Sequence, residues 1–536
     1  MFKKVGTVIR TLYHLRLKQL IYQLKYRLGA PQLFPKSLNL ENNLTKVSSF
    51  GFLKTPLTFK SGPYQFRFLN QSVLFPDEIN WNYNKKGKLW NYNLNYFDFI
   101  SNENLNSDEI RTIIESFYNQ YNLLEDGKEP YPTSLRIMNL IKVINQHQSD
   151  KIETVLKNDI NRLFHSLEYH LLGNHLLENA FALYFGAHIF PEEEKLVQRS
   201  IKLLKEQLEE QILEDGGHYE RSYMYHQIIL GRLLESISLS EANPKVWNID
   251  FVNFLKEKAH RMVSWMLTMS DNGKIFQRFN DSVEGISPTT SELIKFSNKL
   301  GLVPTKLIKL SDSGYRVLKE TNLLITANVG SITPSYQPGH SHADSLSFTL
   351  HLEDKPIIVD PGISTYENSN QRNLERSTSY HNTVSIQEKN NNEVWSAFRV
   401  GRRAKINLIE DSSQNLEAEH NGYRYLNSTH RRSWKVGNSK ILISDYLNSP
   451  KKVIGTLNLH LHPEIEIMST SNNSLKLNNN IQISFNADSE IQINNYNYSD
   501  GFNKLRSSKK ISVNFSKSLT TEISYENSFH NRQLPS

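Results

Sequence analysis

Cysteine is missing from all 536 residues of this sequence. Its absence excludes disulfide bridges, a thiolate nucleophile and cysteine metal ligands, so a metal site would have to use histidine and carboxylate side chains. Long apolar runs are missing as well, because no stretch approaches the roughly 20 apolar residues that cross a bilayer. The first residues lack the apolar core of a signal peptide. We therefore expect neither a membrane-spanning segment nor a cleaved signal.

Positively charged residues only slightly outnumber negatively charged ones. Lys and Arg number 62 against 55 Asp and Glu, which gives a formal charge of +7. This excess would attract a polyanion, and by charge alone nucleic acid and acidic polysaccharide are both open as partners. Because the basic residues are dispersed and no recognition motif appears, a nucleic-acid binder is the less favoured of the two.

Apolar and aromatic residues are abundant enough for a folded protein, at 38% and 11% of the chain. Apolar spacing is helical from about residue 100 to residue 300. After about residue 312 the pattern changes to short strand-like runs, at residues 322–329, 345–352, 355–359, 440–446 and 481–485. This order predicts an α+β multidomain protein with helices first and an antiparallel sheet region second, rather than alternating βαβ units.

The first 30 residues form a region of their own. Leucine and isoleucine recur among Arg and Lys between residues 8 and 28, a basic amphipathic pattern. One apolar stripe suits a helix docked on the protein or peripheral contact with a membrane, and docking is favoured. We therefore expect a basic amphipathic helix in residues 1–30, a helical domain in 31–308 and a β domain in 309–536.

A polar segment, GNHLLEN, stands out at residues 173–179. A helical period brings His175, Glu178 and Asn179 onto neighbouring turns, close to Asn174. Such a set suits substrate binding and proton transfer, and it equally suits a buried polar cluster that ties helices together.

A second polar segment, DGGHYERS at residues 215–222, predicts a turn that opens a helix. That helix carries Tyr223, Tyr225 and His226, and Arg221 precedes it. Tyrosine and histidine are plausible proton carriers, although on a helix such side chains more often pack with a satisfied polar tip.

In the β half, the segment PGHSHAD at residues 338–344 precedes a predicted strand. A two-residue step would place His340 and His342 on one face, which is also a metal-ligand spacing. Asp360 and His381 could complete a set of two histidines and one carboxylate around zinc. Isolated HxH pairs are common by chance, so the spacing alone leaves the metal open.

Arginine and amide side chains in three further clusters are candidates for binding an anionic substrate. They are Arg136 in YPTSLR, Asn280 in FNDSVEG and Arg402 in RVGRR. Arginine suits carboxylate and sulfate groups because its fork donates two parallel hydrogen bonds. Surface salt bridges or helix caps explain the same clusters equally well.

Taken together, these segments resemble the heparinase II/III family, over roughly residues 80 to 405. Single motifs are weak, but nine occur in order. They are LWNYNLNYFDF (89–99), YPTSLR, GNHLLENA, EDGGHYERSYMYH, FNDSVEG, PGHSHADSLSF, VDPGISTYE, ERSTSYHNTV and EVWSAFRVGRRA.

The resemblance implies an incomplete (α/α) toroid followed by an antiparallel β-sandwich, with a glycan groove between them and β-elimination at a uronic acid. Elimination requires a neutralised carboxylate, a base for the C5 proton and a proton for the departing O4. By resemblance, Asn174 neutralises the carboxylate with His175 beside it, Tyr225 protonates O4 and His340 is the base. Tyr223 competes with Tyr225 for its role.

The resemblance also implies that His342, Asp360 and His381 hold a structural zinc ion. The substrate-binding residues we expect are Glu178, Arg136, Arg221, Tyr223, Asn280 and Arg402. The resemblance is greatest to the branch found with bacterial surface-polysaccharide assembly genes. It implies an acidic polysaccharide or oligosaccharide as the partner, and a protein in the cytoplasm or peripheral to the inner membrane, with the periplasm left open.

Two alternatives to a lyase remain. One is a non-catalytic glycan-binding or assembly factor that keeps the groove without turnover. The other is a hydrolase, which would need paired carboxylic acids across the cleft. Asp215 with Glu220, or Asp281 with Glu284, could supply such a pair, but turn and cap roles explain these residues equally well.

Overall fold

The computed structural model describes most of the chain and shows helices followed by strands. The described residues are 2–28, 38, 40, 44–54, 59–60, 64–102, 105–147, 149–244, 248–305, 309–320, 322–437, 439–478, 480–486 and 490–525. The predicted boundary at residue 308 lies outside them.

The α-helices are concentrated before residue 300, as the apolar spacing predicts. They are α1 (Phe2–Leu12), α2 (Leu17–Arg27), α3 (Lys88–Tyr96), α4 (Ser107–Gln120), α5 (Pro130–Val143), α6 (Asp150–His165), α7 (Gly173–Ile189), α8 (Glu194–Gln211), α9 (Tyr223–Ala242), α10 (Ile249–Met269), α11 (Thr290–Lys299) and, later, α12 (Asn370–Glu375). Among the described residues, no helix is both long and apolar enough to cross a bilayer.

Local sequence explains where the central helices begin. Asn106 caps α4 in a capping box with Glu109, and Ser222 caps α9 by accepting a hydrogen bond from the Tyr225 amide. Both α7 and α9 are buried along nearly their whole length. They therefore form the inner part of the helical half. The polar segment GNHLLEN begins α7, and the segment DGGHYERS ends at the residue before α9.

Two features of the first hundred residues differ from the predicted pattern. The expected single helix at the start of the chain is two helices, because α1 ends at Leu12 and α2 begins at Leu17. A small antiparallel sheet of β1 (Phe59–Lys60), β2 (Tyr64–Phe68) and β3 (Gln71–Phe75) lies within the region expected to be helical. Its alternation of buried and exposed residues is too short to stand out from the sequence.

Strands dominate from residue 315. They are β4 (Tyr315–Glu320), β5 (Leu323–Asn328), β6 (Phe348–Leu352), β7 (Lys355–Ile358), β8 (Val384–Ile386), β9 (Val394–Trp395), β10 (Arg399–Val400), β11 (Ile406–Asp411), β12 (Asn415–His420), β13 (Thr429–Gly437), β14 (Lys440–Asn448), β15 (Gly455–His460), β16 (Ile467–Thr470), β17 (Ser474–Leu477), β18 (Ile481–Phe485), β19 (Ile491–Ser499), β20 (Leu505–Phe515) and β21 (Ser518–Tyr525). Each predicted strand has a counterpart here, within a few residues at its ends.

The strands form antiparallel sheets. An eight-stranded sheet runs β11-β12-β13-β14-β21-β18-β17-β16, and two four-stranded sheets run β19-β20-β15-β8 and β4-β5-β6-β7. In β13 and β14 buried and exposed residues alternate, with Trp434 opposite Ile443 on the inner face. The helical half and the sheet half each bury a large apolar cluster of their own.

Candidate active site between the two halves

A cavity of about 1200 Å³ lies between the helical and sheet halves. Asn174, His175 and Tyr225 line it from the helical half, and His340 lines it from the sheet half. The four side chains that the resemblance assigns to catalysis therefore face one space. Their contacts determine what each of them could do there.

Asn174 is held at the start of α7 by Glu220. Its amide nitrogen Nδ2 donates to Glu220 Oε2 at 2.8 Å, and its backbone N–H donates to Glu220 Oε1 at 2.9 Å. Nδ2 also lies 3.3 Å from Nε2 of His340. The first turn of a helix leaves backbone N–H groups unpaired, so a carboxylate placed there fixes both the helix start and the side-chain amide.

His340 is oriented by a buried carboxylate. Its Nδ1 lies 2.8 Å from Oδ2 of Asp281. A carboxylate accepts hydrogen bonds, so Nδ1 carries the proton and Nε2 is left as the basic nitrogen. Nε2 faces the Asn174 amide and the cavity.

Asp281 has hydrogen-bond partners besides His340. Its Oδ1 lies 2.8 Å from Nε2 of His342, and Arg372 donates to both oxygens, at 2.5 and 2.7 Å. Burial alone would raise the pKa of Asp281, but Arg372 and the two histidines hold it well below its ordinary value. The carboxylate is therefore charged, and it fixes both histidines of the HxH segment.

Tyr225 stacks on His340. Their ring centroids are 4.1 Å apart, and the Tyr225 hydroxyl lies 3.3 Å from that of Tyr366. Burial raises the pKa of Tyr225 above its ordinary value, so the phenol keeps its proton. It is placed to donate a proton to an atom bound in the cavity.

His175 lies beside Asn174 with its own carboxylate partner. Its Nδ1 is 3.0 Å from Oε1 of Glu168, and its ring packs on Tyr131 at 4.7 Å between centroids. Burial would lower the pKa of His175, but the Glu168 carboxylate outweighs it and raises that pKa. His175 therefore favours the charged form more than an ordinary histidine does.

Glu178, one of the residues expected to bind substrate, does not line the cavity but lies against a residue that does. It is fully buried, and its carboxylate lies 3.5 Å from Nε of Arg232, which does line the cavity. Burial raises the pKa of Glu178 to about 7. Within the described residues, neither carboxylate oxygen of Glu178 has a hydrogen-bond partner, so no hydrogen bond joins it to His175 or Tyr225.

The other expected substrate-binding residues do not line the cavity. Their side chains contact other parts of the protein instead. Arg136 is fully buried and paired with Asp159 at 2.7 Å. Arg221 donates to backbone carbonyls and to Asn328. Asn280 donates to the carbonyl of Arg221, while Arg402 stacks on Tyr425.

Tyr223 is also turned away from the cavity. It is buried, its hydroxyl lies 3.0 Å from that of Thr290, and its ring packs against Phe276. On α9 it precedes Tyr225 by two positions, which is more than half a helical turn. Of the two tyrosines, Tyr225 lines the cavity and Tyr223 does not.

The HxH segment is a loop before β6 rather than the extended strand end that the two-residue step assumed. His340 and His342 nevertheless converge on Asp281, each through a different ring nitrogen. His342 packs against His381 at 5.2 Å between ring centroids, and His381 Nδ1 lies 2.8 Å from Asp360 Oδ2.

The expected zinc ligands have the right kinds of donor atom for a metal, but they are not arranged as a complete coordination site. Within the described part of the chain, the buried Nδ1 of His342 and Nε2 of His381 have no hydrogen-bond partner, which leaves two nitrogen atoms with lone pairs that a metal could bind. Within the residues that the structure describes, however, no group of three or more His, Asp or Glu side chains is arranged to hold an ion.

Several residues of the site escaped sequence reasoning. Glu220 was weighed as a partner of Asp215, and Asp281 as a partner of Glu284, yet Glu220 and Asp281 each orient a cavity residue instead. Glu168 and Arg372 were not singled out at all. A buried carboxylate that positions histidine is a recurrent arrangement, but its sequence signal is weak because the partners lie 59 and 91 residues away from Asp281.

Comparison with known proteins agrees with the order of the motifs. The heparinase II/III N-terminus matches residues 137–301, and the heparinase II/III-like C-terminal region matches residues 303–526. Among curated proteins, the heparin-sulfate lyase of Bacteroides thetaiotaomicron is 26% identical over 333 residues, which cover 54% of this chain and 45% of that protein. The heparin-sulfate lyase of Bacteroides stercoris is 24% identical over 335 residues, covering 56% and 47%. The chain thus matches somewhat less than half the length of these relatives.

Solved structures share the fold. A heparinase III crystal structure superposes with a TM-score of 0.65 at 19% identity, covering 84% of this chain and 80% of that one. Heparan sulfate lyase HepC from Pedobacter heparinus gives a TM-score of 0.57 at 16% identity, covering 88% and 82%. Because the two family regions together extend over nearly all of residues 137–526, in the order of the two halves, the chain belongs to the heparinase II/III family.

Proposed function

We propose that this protein is a polysaccharide lyase that cleaves an acidic, uronic-acid-containing glycan by β-elimination. The observation that carries the proposal is the convergence of Asn174, His340 and Tyr225 on one cavity, with His340 oriented by Asp281. Family membership and relatives named as heparin-sulfate lyases support it.

The base in this mechanism is Nε2 of His340. Asp281 holds the proton on Nδ1, so Nε2 presents its lone pair toward Asn174. The C5 proton of a uronate moves to Nε2 as the electron pair shifts toward the carboxylate of the sugar. In the complex with substrate, the Asn174 N–H that faces His340 turns to the sugar carboxylate, while the other N–H stays on Glu220. This frees the lone pair of Nε2 and stabilises the charge that develops on the carboxylate.

The acid is the hydroxyl of Tyr225. The C4–O4 bond breaks as the C4–C5 double bond forms, and the Tyr225 proton goes to O4. The ring contact between Tyr225 and His340 keeps the acid and the base within one sugar residue of each other. The proton on His340 then returns to the tyrosinate directly or through water, which restores both side chains.

The hydrolase alternative has less support. The carboxylates that it named, at Asp215, Glu220, Asp281 and Glu284, do not line the cavity. Asp281 and Glu220 are already occupied by the hydrogen bonds described above, which leaves neither free to attack or protonate a sugar.

We extend the proposal to architecture and metal. The helical half is inferred to be an incomplete (α/α) toroid and the sheet half a β-sandwich, supported by the fold shared with heparinase III. His342, Asp360 and His381 would hold a structural zinc ion. Bound there, the ion would stabilise the loop that carries His340.

The test is ultraviolet absorbance of the unsaturated uronate during incubation with purified uronic-acid polysaccharides, including heparan sulfate and the host's own surface glycan. A rise that is absent in Tyr225→Phe supports the lyase. Glycan binding without a rise on any polysaccharide contradicts it and favours the non-catalytic assembly factor.

A further inference from the structure

The helix pair α1–α2 lies across the cavity that holds the proposed catalytic side chains. One side of the pair contributes to the cavity lining, from the second half of α1 to the end of α2. The contributing residues are Val8, Thr11, Leu12, Leu15, Gln19, Leu20, Gln23 and Arg27. We call this pair the roof.

On the sheet side, the roof is attached through α1. Arg10 donates to both carboxylate oxygens of Glu393, at 2.8 and 2.6 Å, and the hydroxyl of Thr7 donates to the same carboxylate at 2.8 Å. The indole of Trp395 donates to the hydroxyl of Thr11 at 3.0 Å. A bidentate Arg–carboxylate pair with two neighbouring hydrogen bonds is a directional anchor rather than a loose surface contact.

On the helical side, the roof is attached through α2 and the residue before it. Gln19 is buried and donates to the backbone carbonyl of Leu171 in the helical half and also to that of Tyr336 in the sheet half. Arg16 stacks on the Tyr336 ring at 3.7 Å and pairs with Glu210. The Tyr26 hydroxyl donates to the carbonyl of Ser166 at 2.7 Å.

Anchors on both sides make the roof a bridge over the cavity. The middle of a long chain can enter a groove only sideways, and a bridge fixed at both ends blocks that entry. A free chain end can still pass beneath it lengthwise. We propose that the roof restricts the site to chain ends and short oligosaccharides, so that interior units of a long glycan do not reach Tyr225 and His340 while the roof is anchored. This inference rests on the proposed lyase function.

The first experiment uses a cysteine as a probe and needs no substrate. Ile228 lines the cavity on α9, one turn after Tyr225, and Ile228→Cys would be the sole thiol in this cysteine-free chain. Its labelling is compared for a small maleimide and for a maleimide attached to a small folded protein. We expect the small reagent to react at least about tenfold faster than the protein-borne one.

Weakening the attachment of the roof to the sheet half tests whether the roof is what slows labelling by the protein-borne reagent. Arg10→Met with Glu393→Gln removes the ion pair, while Glu522→Gln breaks an exposed pair with Lys440 elsewhere in the sheet half and is the matched control. The double variant should raise the rate of protein-borne labelling severalfold and leave the small reagent's rate unchanged. Equal rates for the two reagents in the anchored protein, or no rise in the double variant, would overturn the proposal.

The second readout is the pattern of heparan sulfate cleavage. The anchored protein should release short products with little early loss of viscosity, and the double variant should make internal cuts that lower viscosity early. Early viscosity loss with the anchored protein would also overturn the proposal. If labelling changes as expected but neither protein eliminates any glycan, the roof stands and the lyase function fails.

Discussion

The ring of Tyr225 lies against the imidazole of His340, with centroids 4.1 Å apart and planes inclined by 33°. One side chain comes from the first turn of a helix and the other from a loop of the sheet half. A sugar bound in the cavity would meet both at once. The pair thus supplies a proton donor and a proton acceptor at one place.

Replacing Tyr225 tests the donor. Tyr225→Phe keeps the ring and removes the proton, so we expect kcat to fall by about 10² to 10⁴, the usual contribution of general acid–base catalysis. Glycan affinity should change little. Tyr223→Phe is the control, because its hydroxyl faces Thr290 instead of the cavity. Comparable loss of kcat in both variants would argue against Tyr225 as the donor.

Replacing Asp281 tests the orientation of His340. Asp281→Asn leaves Arg372 without its buried partner, and we expect a loss of about 3–5 kcal/mol in the free energy of unfolding together with a kcat at least about 100-fold lower. Asp445→Asn is a matched control, since Asp445 holds His430 and Arg432 in a similar buried cluster. It should lose comparable stability while its folded fraction keeps full kcat.

Glu178 should make stability depend on pH. Burial raises its pKa from 4.5 to about 7, so its contribution to stability is fully present below pH 4.5 and is lost as pH rises through about 7. Glu178→Gln stays neutral, and wild type should lose up to about 3 kcal/mol relative to it across this range. Urea unfolding at several pH values measures the difference.

Glu235 is the control for that titration. It pairs with Lys142 at 2.8 Å, and although burial opposes this, Lys142 and Arg232 lower its pKa. A lowered pKa contributes stability that is present at neutral pH and lost as pH falls. Glu235→Gln should therefore destabilise the protein most at neutral pH, opposite in trend to Glu178→Gln.

Zinc can be tested without an activity assay. We expect purified wild type to contain zinc, and a chelator to lower its melting temperature. His381→Ala should lack the metal and show no further effect of chelator. His430→Ala, a buried histidine paired with Asp445, should retain it. Equal metal content in wild type and His381→Ala would contradict the proposed ligand set.

Membrane contact is a proposal for the outer side of α1 and α2 and for the turn that joins them. Tyr13, Leu17 and Leu24 expose 84%, 72% and 60% of their surface, next to basic residues that attract anionic lipid. Binding to anionic vesicles in sedimentation should fall several-fold when the three become serine. Met468→Ser, at an exposed position of β16, should leave binding unchanged.

The position of a site residue was predictable where its sequence motif also forms the start of a helix. Asn174 and Tyr225 lie in the first turns of helices, so the motif that gives their identity also gives their position. Arg136 was misjudged for a different reason. Its guanidinium is satisfied by Asp159, 23 residues later, and the sequence does not say which of several carboxylates a buried arginine will meet.

The same distinction between local and long-range determinants applies to the fold. Helical spacing in α4 and alternation in β14 are local properties, and both were readable. The break between α1 and α2, and the small sheet of β2 and β3, depend on what those segments pack against. Gln19, for example, is buried because it reaches carbonyls 152 and 317 residues away.

The ion pair between Arg10 and Glu393 also constrains the order in which parts of the protein can fold during synthesis. The two residues are 383 positions apart, so at about 5 to 20 residues per second a ribosome needs about 20 to 80 s to make the second after the first. During that interval α1 and α2 have their apolar side chains but no sheet half to receive them. These two helices, which are made before the sheet half, are thus among the last to reach their final contacts, and in the meantime their exposed surface is available to chaperones or to lipid.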